Sequence, residues 1–201
     1  TAGQITNSVY MVSESGRLSL TANGDIENSG QIQAGAIDIT ANQFTNKNTV
    51  RALATDQNSI WNLNQFLNDQ GLVALNNQEF NLYADQLNNY GRIESSGDIE
   101  IVGTRLINTD LKNQNTDNLV RDLENNNGVL IANRLRIKAD EVDNRFGMIA
   151  SESTTDNGLT FEANRQIPLI FNNNKGFVQS SADNWQINNL QLNNIFGAGL
   201  R

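Results

Sequence analysis

Short stretches in which two apolar residues flank one polar residue recur along the whole chain. They are LSL (18–20), IDI (37–39), FNL (80–82), IEI (99–101), LRI (135–137), LTF (159–161) and WQI (185–187). Alternation with a period of two predicts a half-buried β-strand, weakly when it occurs once and strongly when it recurs in step with a second motif. No apolar pattern of helical period accompanies these stretches, so they indicate many short strands joined by turns.

The second motif is anchored on asparagine, with an apolar residue two positions before it, another four positions after it and a small residue six positions after it. The anchors are Asn7, Asn28, Asn46, Asn68, Asn89, Asn144 and Asn174. The apolar residues at the fourth position are Met11, Ile32, Val50, Leu72, Ile93, Met148 and Val178. The small residues at the sixth position are Ser13, Ala34, Ala52, Ala74, Ser95, Ala150 and Ser180. Glycine follows the anchor closely at Gly30, Gly71, Gly91, Gly147 and Gly176, which predicts a left-handed turn there.

The anchors return after 21, 18, 22 and 21 residues as far as Asn89. A period of this length made of strands and turns predicts a β-solenoid, in which each coil buries its apolar side only against its neighbours. One inward column is then Leu18, Ile37, Ile60, Phe80, Ile99, Leu135, Leu159 and Trp185. A second is Ile26, Phe44, Phe66, Leu87, Leu106 and Val142. A ladder of amides bonded from coil to coil is predicted at one corner, formed by Asn28, Asn46, Asn68, Asn89, Asn108 and Asn144.

One coil is interrupted at its turn. Asn108 has the apolar residue before it but not the apolar residue after it, and the missing half of the motif returns at Asn126, Gly128, Leu130 and Ala132. We therefore expect residues 109–127 to be an insertion extruded from a single solenoid domain that spans residues 1–201. The insertion has the signals of a short helix, with Thr116 or Asp117 as N-cap, an apolar face of Leu119, Val120 and Leu123, and Asn127-Gly128 as its end.

The amino-acid composition excludes several kinds of catalytic and metal site and argues against some classes of partner. The chain has no Cys and no His, which removes thiol nucleophiles, disulfides, the usual zinc sites and His-based catalysis. Its net charge is −8 and its basic residues are scattered, so nucleic acid is not an expected partner. No apolar run is long enough for a membrane helix. The 34 asparagines and the single proline, Pro168, suggest many turns of one design.

Two stretches carry a resemblance to a known family. They are GRLSLTANGDIENSGQIQAGAIDITA (16–41) and EFNLYADQLNNYGRIESSGDIEIVGTRLIN (79–108). They resemble the filamentous haemagglutinin-type repeats of large Gram-negative exoproteins exported by two-partner secretion, a group of adhesins and contact-dependent growth-inhibition toxin stalks. The likeness covers nearly the whole chain except 109–127 and 165–173, and the coil containing residues 59–71 departs from clean alternation. It implies a right-handed parallel β-helix, export through an outer-membrane transporter, and a monomeric filament segment at the outer cell surface.

The insertion is the first candidate site, because long loops on a regular scaffold often carry binding. Its polar residues, proposed to contact a protein or glycan receptor on a host or target cell, are Lys112, Asn115, Asp117, Arg121, Asp122 and Glu124. The alternative is a flap that covers an apolar patch of the shaft.

Three further groups of residues could be functional, but each also has a purely structural explanation. Asp140, Glu141 and Asp143 could bind calcium, but their spacing matches no calcium loop and solvated acids are expected, so no metal or cofactor is predicted. Trp61 and Trp185 could stack on sugars, but Trp185 occupies an inward position. The outward residues of one face are Ser19, Asp38, Asn81, Glu100, Arg136, Thr160 and Gln186, among which Glu100 and Arg136 become neighbours if the insertion loops out. Because this face carries only one acid per coil, we interpret it as ordinary exposed surface and expect no catalysis there.

The sequence therefore favours a non-enzymatic structural or adhesive segment of a secreted surface filament. The alternative is an enzyme or binding module for polysaccharides on the same helix, which would need clustered carboxylates in a groove. A third possibility, a spike of similar coils, would assemble as a trimer.

Overall fold

Every regular element of the chain in the computed structural model is a β-strand, as far as the described residues go. These are residues 2–109, 128–155, 157–165, 168–173, 176–182, 186–187, 190–193 and 199–200. The strands before the insertion are β1 (Ile5–Asn7), β2 (Tyr10–Val12), β3 (Arg17–Thr21), β4 (Asp25–Asn28), β5 (Gln31–Ala34), β6 (Ala36–Asn46), β7 (Thr49–Ala52), β8 (Asn58–Asn68), β9 (Leu72–Leu75), β10 (Glu79–Asn89), β11 (Arg92–Ser95), β12 (Asp98–Val102) and β13 (Arg105–Asn108). Those after it are β14 (Val129–Ala132), β15 (Leu135–Lys138), β16 (Glu141–Asp143), β17 (Met148–Ser151), β18 (Leu159–Glu162), β19 (Leu169–Asn172), β20 (Phe177–Ser180), β21 (Gln186–Ile187), β22 (Leu190–Asn193) and β23 (Gly199–Leu200).

The strands stack in three parallel columns, which makes the chain a parallel β-solenoid of roughly 21 residues per turn. Face A runs from β3 through the first halves of β6, β8 and β10 to β12, β15, β18 and β21. Face B runs from β1 and β4 through the second halves of those long strands to β13, β16, β19 and β22. Face C holds β2, β5, β7, β9, β11, β14, β17, β20 and β23. The predicted fold class is confirmed.

The second predicted inward column, on face B, is confirmed in full. Ile26, Phe44, Phe66, Leu87, Leu106 and Val142 are in register and at most 1% exposed. Phe171 extends the column by one coil. These side chains are covered by the coils above and below and by side chains of the other faces, so the core is one continuous axis rather than a set of separate clusters.

The first predicted column, on face A, is wrong at one position. Ile60 is 40% exposed, and Ser59 and Trp61 point inward in its place, each fully buried. Trp61 buries more apolar area than Ile60, and its ring NH finds a partner, because Nε1 donates to the carbonyl oxygen of Ile37 at 3.0 Å. The other described members of the column are buried, apart from the partly buried Leu18; Trp185 lies outside the described residues.

Aromatic side chains fill the core where three coils meet. Trp61 makes edge contacts with Phe44, Phe66 and Phe80, at centroid distances of 5.2, 5.2 and 4.8 Å. Phe44 and Phe66 stack at 5.6 Å with their planes 8° apart. Trp61 is therefore a core residue and not a sugar platform.

Two corners carry one more residue than the motif allows for. Gln70 and Phe146 adopt left-handed backbone, with φ of 60° and 61°. Each lengthens its turn by one residue, so Val73 and Ile149 face the core in place of the predicted Leu72 and Met148. The same shift puts Leu75 and Ser151 at the positions predicted for Ala74 and Ala150.

The corner glycines serve a different purpose from the predicted one. Among the described glycines only Gly128 has positive φ, so Gly30, Gly71, Gly91, Gly147 and Gly176 are not left-handed. They are packed against the coil below: a Cβ on Gly91 would lie 2.2 Å from the carbonyl oxygen of Gly71. Close backbone approach, which only glycine permits, is the reason for their recurrence.

Candidate functional site: the asparagine corner and the face A groove

A column of buried asparagines marks the corner between faces B and C. Each side-chain Nδ2 donates to the Oδ1 of the next asparagine at 2.7–2.9 Å. The column, hereafter the asparagine column, consists of Asn7, Asn28, Asn46, Asn68, Asn89, Asn108, Asn144 and Asn173. The structure thus places all six asparagines of the predicted ladder in one line and adds a rung at each end. At the last rung Asn173 takes the position predicted for Asn174.

The side-chain amides in this column also hydrogen-bond to the backbone. The second Nδ2 proton of Asn89, for example, reaches the carbonyl oxygen of Val129 at 2.9 Å, and its Oδ1 also accepts from the backbone NH of Gly91 at 3.3 Å. Asn173 is the exception, since its Nδ2 is buried without a hydrogen-bond partner. Because Asn172 pairs with Asn193, the next rung would fall at position 194, outside the described residues. All the bonds point the same way, so the column has a donor end and an acceptor end.

A second buried asparagine holds the corner between faces C and A. Asn77, 1% exposed, donates to the carbonyl oxygens of Gly35 at 3.0 Å and Ala54 at 2.7 Å, and it accepts from the hydroxyl of Ser59. These bonds span three coils and position Ser59, which in turn accepts from the backbone NH of Ile37 at 2.9 Å. Sequence reasoning missed this bridge, because Asn77 lies at no fixed offset from the repeating motif.

The residues predicted to contact a receptor lie outside the described residues. They are Lys112, Asn115, Asp117, Arg121, Asp122 and Glu124. The described chain reaches Thr109 and resumes at Gly128, and these two residues are adjacent: a Cβ on Gly128 would lie 2.5 Å from the carbonyl carbon of Thr109. Asn108 stays in the asparagine column, so the solenoid continues across the point where the insertion departs.

The three acids considered for calcium each have an arginine of their own. Asp140 pairs with Arg165, Glu141 with Arg105 at 3.1 Å, and Asp143 with Arg145 at 2.6 Å. The hydrogen bond to Asp143 raises the pKa of the Arg145 guanidinium. Within the described ranges no group of three acids is arranged to hold a metal ion.

The outward column of face A borders a shallow groove of about 540 Å³. Its charged lining consists of Glu79, Asp98, Glu100, Arg134 and Arg136. Thr160, predicted to be exposed, lines this groove and is only 6% exposed. Glu100 and Arg136 are stacked neighbours, as expected if the insertion loops out, and they form an ion pair with the charged atoms 3.4 Å apart.

The acids of this groove are tied to neighbouring coils. Glu79 accepts from Asn58 at 3.4 Å, Asp98 from Asn133 at 2.8 Å, and Glu100 from Arg136. Glycoside hydrolysis needs two carboxyl groups aimed at one bond from opposite sides. Here each carboxylate is directed to its own donor, an arrangement suited to holding adjacent coils together. Sequence reasoning missed Glu79, Asp98 and Arg134, which precede the alternating strands and become neighbours only by stacking.

No model of a known protein family, no curated protein and no solved structure matches the chain. Within the described part of the chain, no helix is both long and apolar enough to pass through a bilayer.

Proposed function

We propose that the chain is a shaft segment of a large secreted surface filament, a structural element that holds binding elements away from the cell and carries out no catalysis. The observation that supports this is the asparagine column, which runs without a break through seven consecutive bonds of 2.7–2.9 Å. Its amides bond adjacent coils, and the seven before Asn173 direct Nδ2 both to the next rung and to a backbone carbonyl oxygen.

The cellular location in this proposal comes from the resemblance of the repeats to filamentous haemagglutinin-type repeats. In that setting the chain is exported through an outer-membrane two-partner-secretion transporter and displayed at the bacterial surface. A receptor on another cell, protein or glycan, is contacted at the insertion or beyond the shaft. Stacked coils suit such a role, because each coil adds about 4.8 Å of length without requiring a new core.

The test exploits the modular coils in the full-length protein. Deleting residues 47–68 removes one whole coil and lets Asn46 precede the Asn89 rung, since Asn46 and Asn68 are 22 residues apart in adjacent rungs. A shaft should tolerate this deletion, so export and attachment to other cells are expected to remain unchanged.

The matched control deletes residues 47–57, a partial coil that removes β7 and puts β8 out of register with β6. This variant should lose export and attachment. The proposal fails if the whole-coil variant folds, by circular dichroism, yet loses attachment as completely as the control.

The polysaccharide alternative rests on the face A groove. Acidic and neutral polysaccharides incubated with the purified chain should release no reducing or unsaturated ends. Release that disappears in a Glu100→Gln, Arg136→Gln double variant would favour the enzyme instead.

A lateral receptor contact through the insertion, residues 109–127, is a separate hypothesis. Joining Thr109 directly to Gly128 should preserve the fold, because these residues already touch. The hypothesis predicts weaker binding to cells by this shortened chain, and unchanged binding would refute it.

A further inference from the structure

A second pocket of about 220 Å³ lies at the asparagine corner. Its lining consists of Tyr90, Arg105, Ile107, Thr109, Asp143, Arg145 and Phe146, and we call it the corner pocket. Three of these residues directly follow rungs of the asparagine column. Tyr90 follows Asn89, Thr109 follows Asn108 and Arg145 follows Asn144, and those rungs are bonded at 2.8 and 2.7 Å. The column therefore fixes the pocket across three coils.

The corner pocket contains a polar group that the protein leaves unused. Thr109 is only 6% exposed, and its hydroxyl oxygen is buried without a hydrogen-bond partner. A buried hydroxyl left in this state lowers stability, and nearly all such groups in proteins are satisfied. An unmet donor and acceptor in a lined pocket points to a ligand that supplies the missing partner.

Phe146 is also held at a cost. It adopts φ of 61°, a backbone region that bulky residues rarely occupy. The corresponding left-handed position in the corner at 68–71 holds the polar residue Gln70. Phe146 and Tyr90 both line the pocket and give it two aromatic walls. Strained residues of this kind persist where the surrounding structure or a function demands them.

The charges around the corner pocket cancel. Arg145 is paired with Asp143 at 2.6 Å and Arg105 with Glu141 at 3.1 Å, so two guanidinium groups face two carboxylates. Both carboxylate oxygens of Asp143 are occupied by Arg145. The pocket is locally neutral yet offers guanidinium NH groups and a hydroxyl. This favours an uncharged ligand rich in hydroxyl groups over an anion.

We propose that the corner pocket binds one neutral hexopyranose unit of a glycan. A pyranose ring has C–H faces that pack on the two aromatic walls, and its hydroxyl groups can meet the orphaned Thr109 hydroxyl and the guanidinium NH groups. The volume lies below the roughly 300–1,000 Å³ of pockets for drug-sized ligands, which favours a single ring. This inference refines the proposed function by placing a glycan contact on the shaft itself; its test measures binding alone, so its failure would leave the shaft proposal standing.

The experiment titrates the full chain with the methyl pyranosides of galactose, glucose and mannose and follows backbone amide shifts by NMR. At least one sugar should shift the amides of Tyr90, Thr109 and Gly147, with a dissociation constant on the order of 1 mM, as expected for a small polar ligand. Glucuronate is the anionic comparison and should bind no more tightly than the neutral sugars. Absence of shifts with all three neutral sugars, or tighter binding of glucuronate, would overturn the proposal.

Two variants separate binding from folding. Thr109→Val removes the orphaned hydroxyl while keeping the shape, and Phe146→Gly removes the aromatic wall and relieves the left-handed strain. Both should keep or raise the melting temperature and weaken sugar binding at least about tenfold, a factor that corresponds to 1.4 kcal/mol. Gln70→Gly makes the matched backbone change at the equivalent corner and should leave sugar binding unchanged. Binding that survives both pocket variants would show that the sugar sits elsewhere.

Discussion

At the scale of single residues, the corner asparagines supply hydrogen bonds that the backbone of the turns cannot make by itself. A turn between faces B and C leaves carbonyl groups inside the solenoid, and each Asn amide before the last rung donates to one of them while it bonds to the asparagines of adjacent coils. Asn68 is typical: it is 0% exposed, accepts from Asn46 at 2.9 Å and donates to Asn89 at 2.8 Å. The cost of a change here comes from the partners left behind and not only from the bonds lost.

Asn68→Ala should therefore lower the free energy of unfolding by about 2 to 4 kcal/mol, because it leaves two buried amides short of a partner. Its matched control is Asn88→Ala, the same chemical change at a partly buried outward position of β10, which should cost about 0.5 kcal/mol or less. Urea unfolding of both variants, followed by circular dichroism, checks the difference. Equal midpoints for the two variants would show that the column contributes little.

At the scale of elements, the face that a strand buries depends on which register places most apolar area inside. In β8 the sequence SIWNL offers two choices, Ile60 inward or Ser59, Trp61 and Leu63 inward. The second buries the tryptophan and two further side chains, and it aligns Trp61 with Ile39 and Leu82 in the adjacent coils. Phe44, Phe66 and Phe80 then surround the indole.

Trp61→Ala should lower the free energy of unfolding by about 3 to 5 kcal/mol, as for other large-to-small changes in a packed core. Ile60→Ala, one residue away on the outer side, should cost about 1 kcal/mol or less. Thermal unfolding of the two variants distinguishes the registers. A larger loss from the isoleucine than from the tryptophan would contradict the assignment.

At the scale of the whole molecule, stability is spread along an axis. The coils from Asn7 to Asn173 contribute similar strands and the same corner amides, and exposed ion pairs such as Arg17 with Asp38 and Lys47 with Glu27, both at 2.6 Å, connect successive coils. Such exposed pairs are worth little individually. The core and the amide column therefore set the stability of the described solenoid, and neither contains a group that titrates near neutral pH.

We accordingly expect the melting temperature to be flat between about pH 6 and pH 9, since the chain has no His and no Cys. Among the described lysines, the one with a shifted pKa, Lys47, does not alter this window. The hydrogen bond to Glu27 raises the pKa of Lys47 above its ordinary 10.5, so its contribution is complete below that value and is lost only as the pH rises beyond it. Calorimetry across the range provides the check, and a sigmoidal change within it would contradict the account.

The sequence by itself determined the repeat, the solenoid and the corner asparagines. These follow from a period that recurs many times, so that errors at single positions average out. Tertiary structure decided the features that do not recur in every coil: the inward register at Trp61, the extra left-handed residues Gln70 and Phe146, and the bridge made by Asn77. It also decided that Tyr90, Thr109 and Phe146 meet in one pocket, because stacking brings together residues that are distant in the chain, and no spacing along a single coil encodes that meeting.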